Sequence, residues 1–400
     1  MTENKEAVGG TLRRQAWRFV LLLGIVSLLA DTTYEGARSI AGQYLAVLGA
    51  SATVVGIVAG LGEFVGYGVR LLAGVVADRT RRYWAITLLG YVVNVFAVPA
   101  LALAGRWEVV AVLLLLERVG KAVRTPSRDA MLSYVAPQVG RGVAFGVHEA
   151  LDQIGAVLGP LLMAFVLQVG AGYRWGFAVL GLPAVLTLAV LVAAWRFVPQ
   201  PQSWEGVSER GEGRLPGRFW LYMLFTGTTV VGLPHFALVA YHFKSTGLLS
   251  DPAIPIAFGV AMASDAVAAL LMGRWFDRLG VRILLAVPVA TACSAAAVFA
   301  SGSVGAWLGM GLWGVVLGIQ ESVMRAAVAE VAPHARRASA YGIFNVAYGA
   351  AWMLGGSAMG WLYDRGGVDA LLPIVLVSQV VAVAFLAVVL AAGRPRSQAT

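Results

Sequence analysis

Charged residues are scarce in this chain of 400 residues, since Asp, Glu, Lys and Arg together make up 13%. An ordinary soluble protein has about a quarter of its residues charged. Apolar residues take their place: 59% of the chain is hydrophobic and the mean hydropathy is +0.78. These proportions exclude an ordinary soluble domain and indicate a protein built mainly for the lipid bilayer.

Cysteine is nearly absent, and the familiar nucleotide and metal motifs are missing. Cys293 is the only cysteine, so an internal disulfide is excluded, and its apolar surroundings predict packing in the core. Gly120-Lys121 is not a phosphate-binding loop, because leucine stands at the upstream glycine position and alanine follows the lysine. No Cys/His cluster indicates a tight metal site. We therefore expect no cofactor, no metal and a driving force other than ATP.

Long apolar runs recur along the whole chain. Each is about 20 residues or longer, the length that crosses the hydrocarbon core as a helix. They predict an all-α membrane protein with twelve transmembrane helices. The predicted spans are 17–47, 52–77, 83–104, 107–135, 141–168, 173–197, 218–245, 253–276, 281–301, 304–332, 338–363 and 369–393.

The distribution of Lys and Arg predicts the orientation of these spans. With both termini inside, the interior segments hold nineteen of the 30 basic residues, and the opposite loops hold Arg106, Arg174, Lys244 and Arg365. Basic residues concentrate on the cytoplasmic side of membrane proteins. The asymmetry predicts a multi-pass protein of the cell (inner) membrane with both termini cytoplasmic. It also explains the net charge of +9 without a nucleic-acid partner.

Two features divide the chain into related halves. Residues 199–217 are rich in Pro, Gly, Ser, Glu and Arg, a composition typical of a flexible linker. This predicts one six-helix bundle over 1–198 and another over 218–400. Each half also has Gly-x-x-x-Asp-Arg at the end of its second apolar run, and a motif repeated at half the chain length is typical of secondary transporters. The copies are Gly74, Asp78 and Arg79, and Gly273, Asp277 and Arg278.

Charge inside the spans is distributed unevenly. Spans 3, 6, 9 and 12 carry almost none between their ends, whereas most of the others do. Because charge within a bilayer normally faces a cavity or a partner, this predicts a central aqueous cavity between two six-helix halves. The candidates for proton coupling are Asp31, Glu35, Glu63 and Asp152. The candidates for the substrate cavity are Tyr34, Arg38, Glu149, His235, Asp265, Glu321, Asn345 and Tyr348.

Each candidate has more than one interpretation. Desolvation and a nearby arginine shift the pKa of a carboxylate in opposite directions, so alternation between such environments would let one residue carry a proton across. Alternatively, the charges form a static salt-bridge network that holds the N-terminal half together. Asp265 could contact a cationic substrate, titrate, or pair with another helix. His235 follows Pro234, which predicts a helix break, and it could be structural or a ligand.

Taken together, these residues resemble the major facilitator superfamily over essentially the whole chain. The two Gly-x-x-x-Asp-Arg copies are similar to its loop signature, and the resemblance implies that they latch one conformation at the cytoplasmic face. Arg118 looks like the buried helix-4 arginine of the family, which implies a role in proton coupling. Helix 5 is similar to the antiporter motif of twelve-helix drug–proton exporters. The matching residues are Gly146, Gly155, Gly159 and Pro160.

The resemblance implies a monomeric secondary transporter that works by alternating access. We expect proton-coupled efflux of small amphipathic or lipophilic compounds, with a small-molecule substrate, protons and the lipid bilayer as partners. Proton-coupled import of a small metabolite is the main alternative; siderophore or metal export and a non-transporting membrane sensor are further ones. An enzyme is not expected, because His148 and Asp152 have no evident serine or cysteine partner.

Overall fold

The computed structural model of the protein describes residues 2–201, 215–299, 302–333 and 337–392. Nearly all of these residues are helical, and no strand occurs among them, so the prediction of an all-α protein is confirmed. The α-helices of the described chain are α1 Thr2–Val47, α2 Ala52–Thr80, α3 Tyr83–Ala100, α4 Trp107–Val135, α5 Arg141–Gln168, α6 Gly172–Val179, α7 Gly181–Phe197, α8 Gly217–Val231, α9 Phe236–Thr246, α10 Ala253–Leu279, α11 Ala286–Phe299, α12 Ser303–Gly318, α13 Arg325–Val331 and α14 Arg337–Ala392.

Most of these helices have the length and composition of membrane spans. Among the described residues, nine helical stretches are long and apolar enough to cross a membrane. Two of the nine contain a break and comprise two crossings each: 253–299 breaks at Gly280, and 339–392 breaks at Gly366–Gly367. The 29 residues of α4 are also long enough to span, and its charged side chains set it apart from the nine. The described residues therefore contain twelve segments with the length of a membrane crossing, the number predicted.

Several spans are less regular than their composition indicates. The predicted span 173–197 contains a break, because α6 ends at Val179 and α7 begins at Gly181. The break expected near Pro234 is confirmed, since the four residues after Val231 separate α8 from α9. In the tenth span, α12 passes into a π-helical segment, Ile319–Met324, before α13 begins. Such segments are frequent at functional sites.

The prediction that Cys293 packs in the core is wrong, because its side chain is exposed on α11. Apolar side chains are exposed in the same way on other helices; on α7, Leu182 is 67% and Val185 is 56% exposed. Lipid tails are as apolar as leucine, so such exposure is tolerated in a bilayer. An apolar sequence environment therefore does not separate core from lipid-facing positions in this chain.

Contacts divide the chain into two compact units. Unit 1 comprises Met1–Ile40 and Gly68–Ser208, and unit 2 comprises Ala41–Tyr67 and Glu209–Thr400. Helices α1 and α2 therefore contribute residues to both units. The predicted linker, 199–217, lies largely outside the described residues, and the predicted domain limits stay a prediction.

Aromatic side chains fill much of the core of unit 1. Phe19 of α1 packs edge-to-face on Trp84 of α3, with ring centroids 6.0 Å apart. The indole Nε1 of Trp84 donates to the carbonyl oxygen of Val198 at 3.0 Å, which satisfies its single polar group. Tyr134 of α4 donates through its hydroxyl to the hydroxyl of Tyr83 at 2.8 Å. These contacts tie α1, α4 and the end of α7 to α3.

The core of unit 2 is built around the break between α8 and α9. Phe236, the first residue of α9, lies with its ring centroid 4.2 Å from that of Phe258 and 6.2 Å from that of Trp313. The Nε1 group of Trp313 donates to the carbonyl oxygen of Pro234 at 2.9 Å. That carbonyl belongs to the interrupted segment, where intrahelical partners are missing. Thus α12 stabilises the break.

Candidate transport site

Close packing of α3 on α4 positions a buried arginine. A Cβ atom added to Gly90 would lie 2.5 Å from the backbone nitrogen of Arg124, and one added to Gly120 would overlap the backbone of Asn94. The two backbones approach this closely because neither glycine has a side chain. Arg124 is consequently 1% exposed and points into the interior of unit 1.

Close packing of α5 on α1 positions two carboxylates. An added Cβ on Gly155 would overlap the backbone of Leu28, and one on Gly159 would overlap the backbone of Thr32. The predicted antiporter-motif positions 155 and 159 are therefore contact points between helices. Asp31 lies between these two contacts on α1, and Asp152 lies three residues before the first of them on α5, so the packing brings the two acids into the same region.

Asp31 and Arg124 form a buried ion pair. The Nη2 atom of Arg124 lies 3.9 Å from Oδ1 of Asp31, and both side chains are buried. The guanidinium also lies over two aromatic rings, 4.3 Å from the centroid of Tyr91 and 5.7 Å from that of Tyr34. Arginine stacks on aromatic faces and keeps its charge when buried. Asp31 is thus held next to a permanent positive charge.

Asp152 is joined to the same cluster from α5. The hydroxyl of Ser27 donates to Oδ1 of Asp152, and Nη1 of Arg128 donates to the hydroxyl of Ser27 at 3.1 Å. Asp31 pairs with Arg124, and Asp152 is joined through Ser27 to Arg128. Because α5 touches α1 at Leu28 and Thr32, the two acids belong to one cluster of acids and arginines.

Glu35 and Lys121 extend the cluster along α1 and α4. Glu35 Oε1 lies 3.4 Å from Nη1 of Arg38 and 4.0 Å from Nζ of Lys121. The ammonium group of Lys121 also lies 3.8 Å from the ring centroid of Tyr34. Glu35 thus lies between Arg38 and Lys121, and Lys121 also contacts Tyr34. Lys121 was not among the predicted site residues, whereas the other three were.

Arg118, predicted for proton coupling, lies beside a second buried acid. Its Nε atom is 3.4 Å from Oε2 of Glu117. Glu117 also accepts a hydrogen bond from Nδ2 of Asn94 at 2.8 Å, and the same amide group donates to the Glu117 carbonyl at 3.1 Å. Arg118 therefore contacts Glu117, whereas Arg124 contacts Asp31. Its predicted role stays a prediction.

Several buried polar atoms of this cluster make no hydrogen bond to another described residue. Each such atom costs about 1–3 kcal/mol when left unsatisfied. Buried polar groups of proteins usually have a hydrogen-bond partner, so these atoms stand out within unit 1. The atoms are Oδ1 of Asp31, Oε2 of Glu35, Nε and Nη1 of Arg124, Oγ of Ser127 and both ring nitrogens of His148.

In unit 2, His235 caps the start of α9. Its Nδ1 atom accepts a hydrogen bond from the backbone N–H of Ala237 at 3.2 Å, which satisfies one of the free donors of the helix N-terminus. Its Nε2 atom lies 3.6 Å from Oε1 of Glu63 on α2. Because Nδ1 is the acceptor, Nε2 carries the proton of the ring. His235 is structural and also faces a predicted coupling residue.

An aromatic surface lies beside this pair in unit 2. The ring of Trp352 is 5.3 Å from that of His235 and 6.3 Å from that of Tyr348, measured between centroids. The ring of Tyr348 is in turn 5.3 Å from that of Tyr67. Its hydroxyl donates at 2.7 Å to Oε1 of Gln320, in the π-helical segment. The cluster in unit 2 therefore consists mainly of rings, and the cluster in unit 1 consists mainly of charged groups.

The remaining candidates of the substrate cavity are more scattered. Asp265 on α10 is buried and packs against Gly318, at the end of α12. Glu321, in the π-helical segment, and Glu149 on α5 are exposed, and Asn345 on α14 is half-buried. Their predicted contact with substrate stays a prediction.

The paired Gly-x-x-x-Asp-Arg motifs lie at the ends of α2 and α10. Asp78 and Asp277 are exposed, as are Arg79 and Arg278. Neither aspartate makes a side-chain hydrogen bond or an ion pair with another described residue. The latch contacts expected of them stay a prediction.

Gly159 and Gly146 offer a direct comparison within the antiporter-like motif. Gly159→Leu is expected to destabilise the protein by about 1–3 kcal/mol, because the new side chain would overlap α1. Gly146→Leu should have little effect, since nothing lies within 4 Å of an added Cβ there. Thermal unfolding of both variants in detergent measures the difference. Equal unfolding temperatures would contradict the close approach of α5 to α1.

Two residues of these clusters, Arg124 and Asp364, were not among the predicted site residues. Arg124 lies on the charged face of α4, but its pairing with Asp31 depends on a contact between residues far apart in the chain. Asp364, at the end of the first half of α14, contacts the N-terminus of α2. The only local signal for it was the adjacent pair Gly366-Gly367, which indicates a chain reversal.

The fold and the buried clusters define a polytopic membrane transporter, and comparison with known proteins identifies its family. The chain matches the model of the Major Facilitator Superfamily over residues 20–356 and 219–400, and it belongs to that family. An uncharacterized protein of Mycobacterium tuberculosis is 45% identical over 357 residues, which are 87% of each chain. The protein is therefore a multi-pass secondary transporter and not an enzyme.

Two further similarities are more distant. Multidrug resistance protein MdtH of Photorhabdus laumondii subsp. laumondii is 27% identical over 184 residues, covering 46% of this chain and 45% of its own. The crystal structure of a mutant of the nucleoside transporter NupG has a TM-score of 0.75 at 13% identity, covering 94% of this chain and 100% of its own. The structural likeness concerns the fold alone.

Proposed function

We propose that this transporter exchanges protons for small amphipathic or lipophilic compounds and thereby exports them from the cell. The observation that carries the proposal is the carboxyl pair of Asp31 and Asp152, held between Arg124 and Arg128. Neighbouring carboxyl groups away from water titrate as a unit, and in this proposal Asp31 and Asp152 hold one proton between them. Loss of that proton adds a negative charge beside Arg124, which gives proton binding a means to bias the conformation.

The aromatic surface of unit 2 supports a lipophilic cargo. Tyr348 and Trp352 are buried rings on α14, and Phe344 lies 5.7 Å from Tyr348 between centroids. Aromatic side chains bind apolar or ring-containing ligands with few polar contacts. The partial similarity to a protein named for multidrug resistance supports the same class. The arginine distribution supports cytoplasmic termini in the cell membrane.

A flux assay with an imposed pH gradient tests coupling, direction and cargo together. Inside-out membrane vesicles with an acidic interior are expected to accumulate ethidium, a lipophilic cation, as protons leave. Uridine and dialanine represent polar cargo and should not accumulate. Vesicles without the protein serve as the control.

Accumulation that appears only in right-side-out vesicles with an acidic exterior would overturn export in favour of proton-coupled import. Uptake that is equal with and without the gradient would overturn proton coupling.

A further inference from the structure

The first half of α2 packs against the first half of α14 within unit 2. Residue numbers rise along α2 as they fall along α14, so the two segments are antiparallel. Backbones touch at four successive turns, where at least one glycine of each pair leaves no room for a Cβ atom or holds it in tight contact. The pairs are Ala52 with Gly360, Gly56 with Gly356, Gly60 with Met353, and Phe64 with Gly349.

A carboxylate closes the outer end of this helix pair. Oδ1 of Asp364 accepts from the backbone N–H of Ala52 at 2.9 Å, and Oδ2 accepts from the backbone N–H of Thr53 at 2.8 Å. The hydroxyl of Thr53 also donates to Oδ2. Ser51 accepts from the backbone N–H of Val54 at 3.3 Å. The first three N–H groups of α2 therefore have acceptors, and a distant residue supplies two of them.

This cap is favourable and also easily reversed. A carboxylate at a helix N-terminus satisfies free donors and interacts with the positive end of the helix dipole. Asp364 is exposed and Thr53 is half-buried, so water can take the place of either partner. Below the cap, glycines bring the two backbones together over residues 52–64, and the ring contact of Tyr67 with Tyr348 follows beyond them.

We propose that Asp364 is a positioning residue of the transport cycle, which seats the N-terminus of α2 on α14 and closes the pathway at that end of the membrane. We call the contacts of residues 52–64 with residues 349–364 the clasp. Residues 41–47 continue α1 beyond Asp31 and Glu35 toward the same end. Cargo and protons reach that side only when the clasp opens. The proposal rests on alternating access alone and not on proton coupling.

The neighbouring charges indicate that this role is specific to Asp364. Arg365 stacks on Trp361, with its Cζ atom 4.3 Å from the ring centroid. Lys244 and Asp251 pair with each other at 2.7 Å, between α9 and α10. Asp251 is therefore a matched control: it is a partly exposed, ion-paired carboxylate of unit 2 whose contacts do not include α2.

Thiol accessibility tests the clasp without knowledge of the cargo. The parent is the full chain with Cys293→Ser and Gln43→Cys, because Gln43 is fully buried near the end of α1. A membrane-impermeant maleimide is applied to intact cells and, separately, to inside-out vesicles. Ser250→Cys in the same background reports an exposed position near that end of the membrane.

Asp364→Ala is expected to raise the labelling rate at position 43 about tenfold from one side only, the size of effect that loss of a helix cap has on an equilibrium. Asp364→Asn should have a smaller effect, since it keeps an acceptor oxygen. Asp251→Ala should leave the rate within about twofold, and labelling of Ser250→Cys should not change. An unchanged rate in Asp364→Ala, or an equal rise in Asp251→Ala, would overturn the proposal.

A cross-link tests the same contact when Asp364→Ala does not fold. Thr53→Cys with Asp364→Cys places two thiols where the side chains now touch, and diamide oxidises them to a disulfide as it is reduced to the hydrazine. The oxidised protein should protect position 43, and dithiothreitol should restore labelling. If the two cysteines do not cross-link, or if the labelling rate at position 43 is the same with and without the cross-link, the clasp does not close the pathway.

Discussion

Asp31→Asn is expected to abolish transport that is driven by a pH gradient. Asparagine keeps the size of the side chain but cannot release a proton, so the pair with Asp152 loses its shared proton. We expect gradient-driven flux to fall by at least about a hundredfold, the order of effect of removing a positioned proton-transfer group. Exchange of labelled for unlabelled cargo, which needs no net proton movement, should persist. Both are measured in proteoliposomes.

The matched control for this substitution is Glu108→Gln. Glu108 is a half-buried carboxylate of α4 whose Oε1 atom lies 3.1 Å from Nη2 of Arg106, and its loss should leave both activities unchanged. Gradient-driven flux that survives in Asp31→Asn would remove this carboxyl pair from the coupling mechanism. Loss of both exchange and gradient-driven flux in Asp31→Asn would indicate a structural defect. It would contradict the prediction that exchange persists.

Arg124→Met should destabilise the protein by about 3–5 kcal/mol, because it leaves the carboxylate of Asp31 buried without its partner charge. Asp31→Asn combined with Arg124→Met should recover most of this loss, since no buried charge then lacks a partner. Arg124→Lys should be intermediate, because lysine lacks the planar group that stacks on Tyr91. Denaturant unfolding in detergent compares the three variants.

Arg106→Met is the control for this series, because the Arg106 side chain is 77% exposed. It should leave the free energy of unfolding unchanged within error. If Arg124→Met is as stable as the parent, or if the double variant is no more stable than Arg124→Met, the pair with Asp31 does not hold unit 1 together as described.

The membrane fold was predictable from sequence because length and hydropathy decide it locally. Each apolar run is long enough to span, and no contact with another run is needed to know this. The break before His235 was predictable for the same reason, since Pro234 is a local signal. The break between Val179 and Gly181 was not predicted, although Gly181 and Pro183 stand at the start of α7, because the apolar composition continues through it.

The candidate site was only partly predictable, since pairing depends on contacts between distant residues. Asp31 and Asp152 were predicted individually, but their proximity follows from where Gly155 and Gly159 bring two helices together. Gly146 belongs to the same motif and makes no such contact. Sequence spacing could not distinguish these glycines. The exposed Cys293 shows the same limit, because apolar surroundings in the sequence describe lipid and protein interior alike.

The two units divide the chemistry unequally. The buried acids and arginines that contact one another are concentrated in unit 1, whereas unit 2 contributes Tyr348, Trp352 and the capped His235. Substitutions in unit 1 should therefore change the response to pH, and substitutions in unit 2 should change which compounds are carried.

In the π-helical segment Ile319–Met324, the number of residues determines the direction in which the side chains point. A π turn holds one residue more than an α turn, and one residue corresponds to about 100° of rotation about a helix axis. Loss of a single residue there would therefore turn Gln320 away from the Tyr348 hydroxyl or turn Arg325 to another face. Relatives that differ by one residue in this segment would point different side chains at the Tyr348 hydroxyl, even if the flanking sequence is retained.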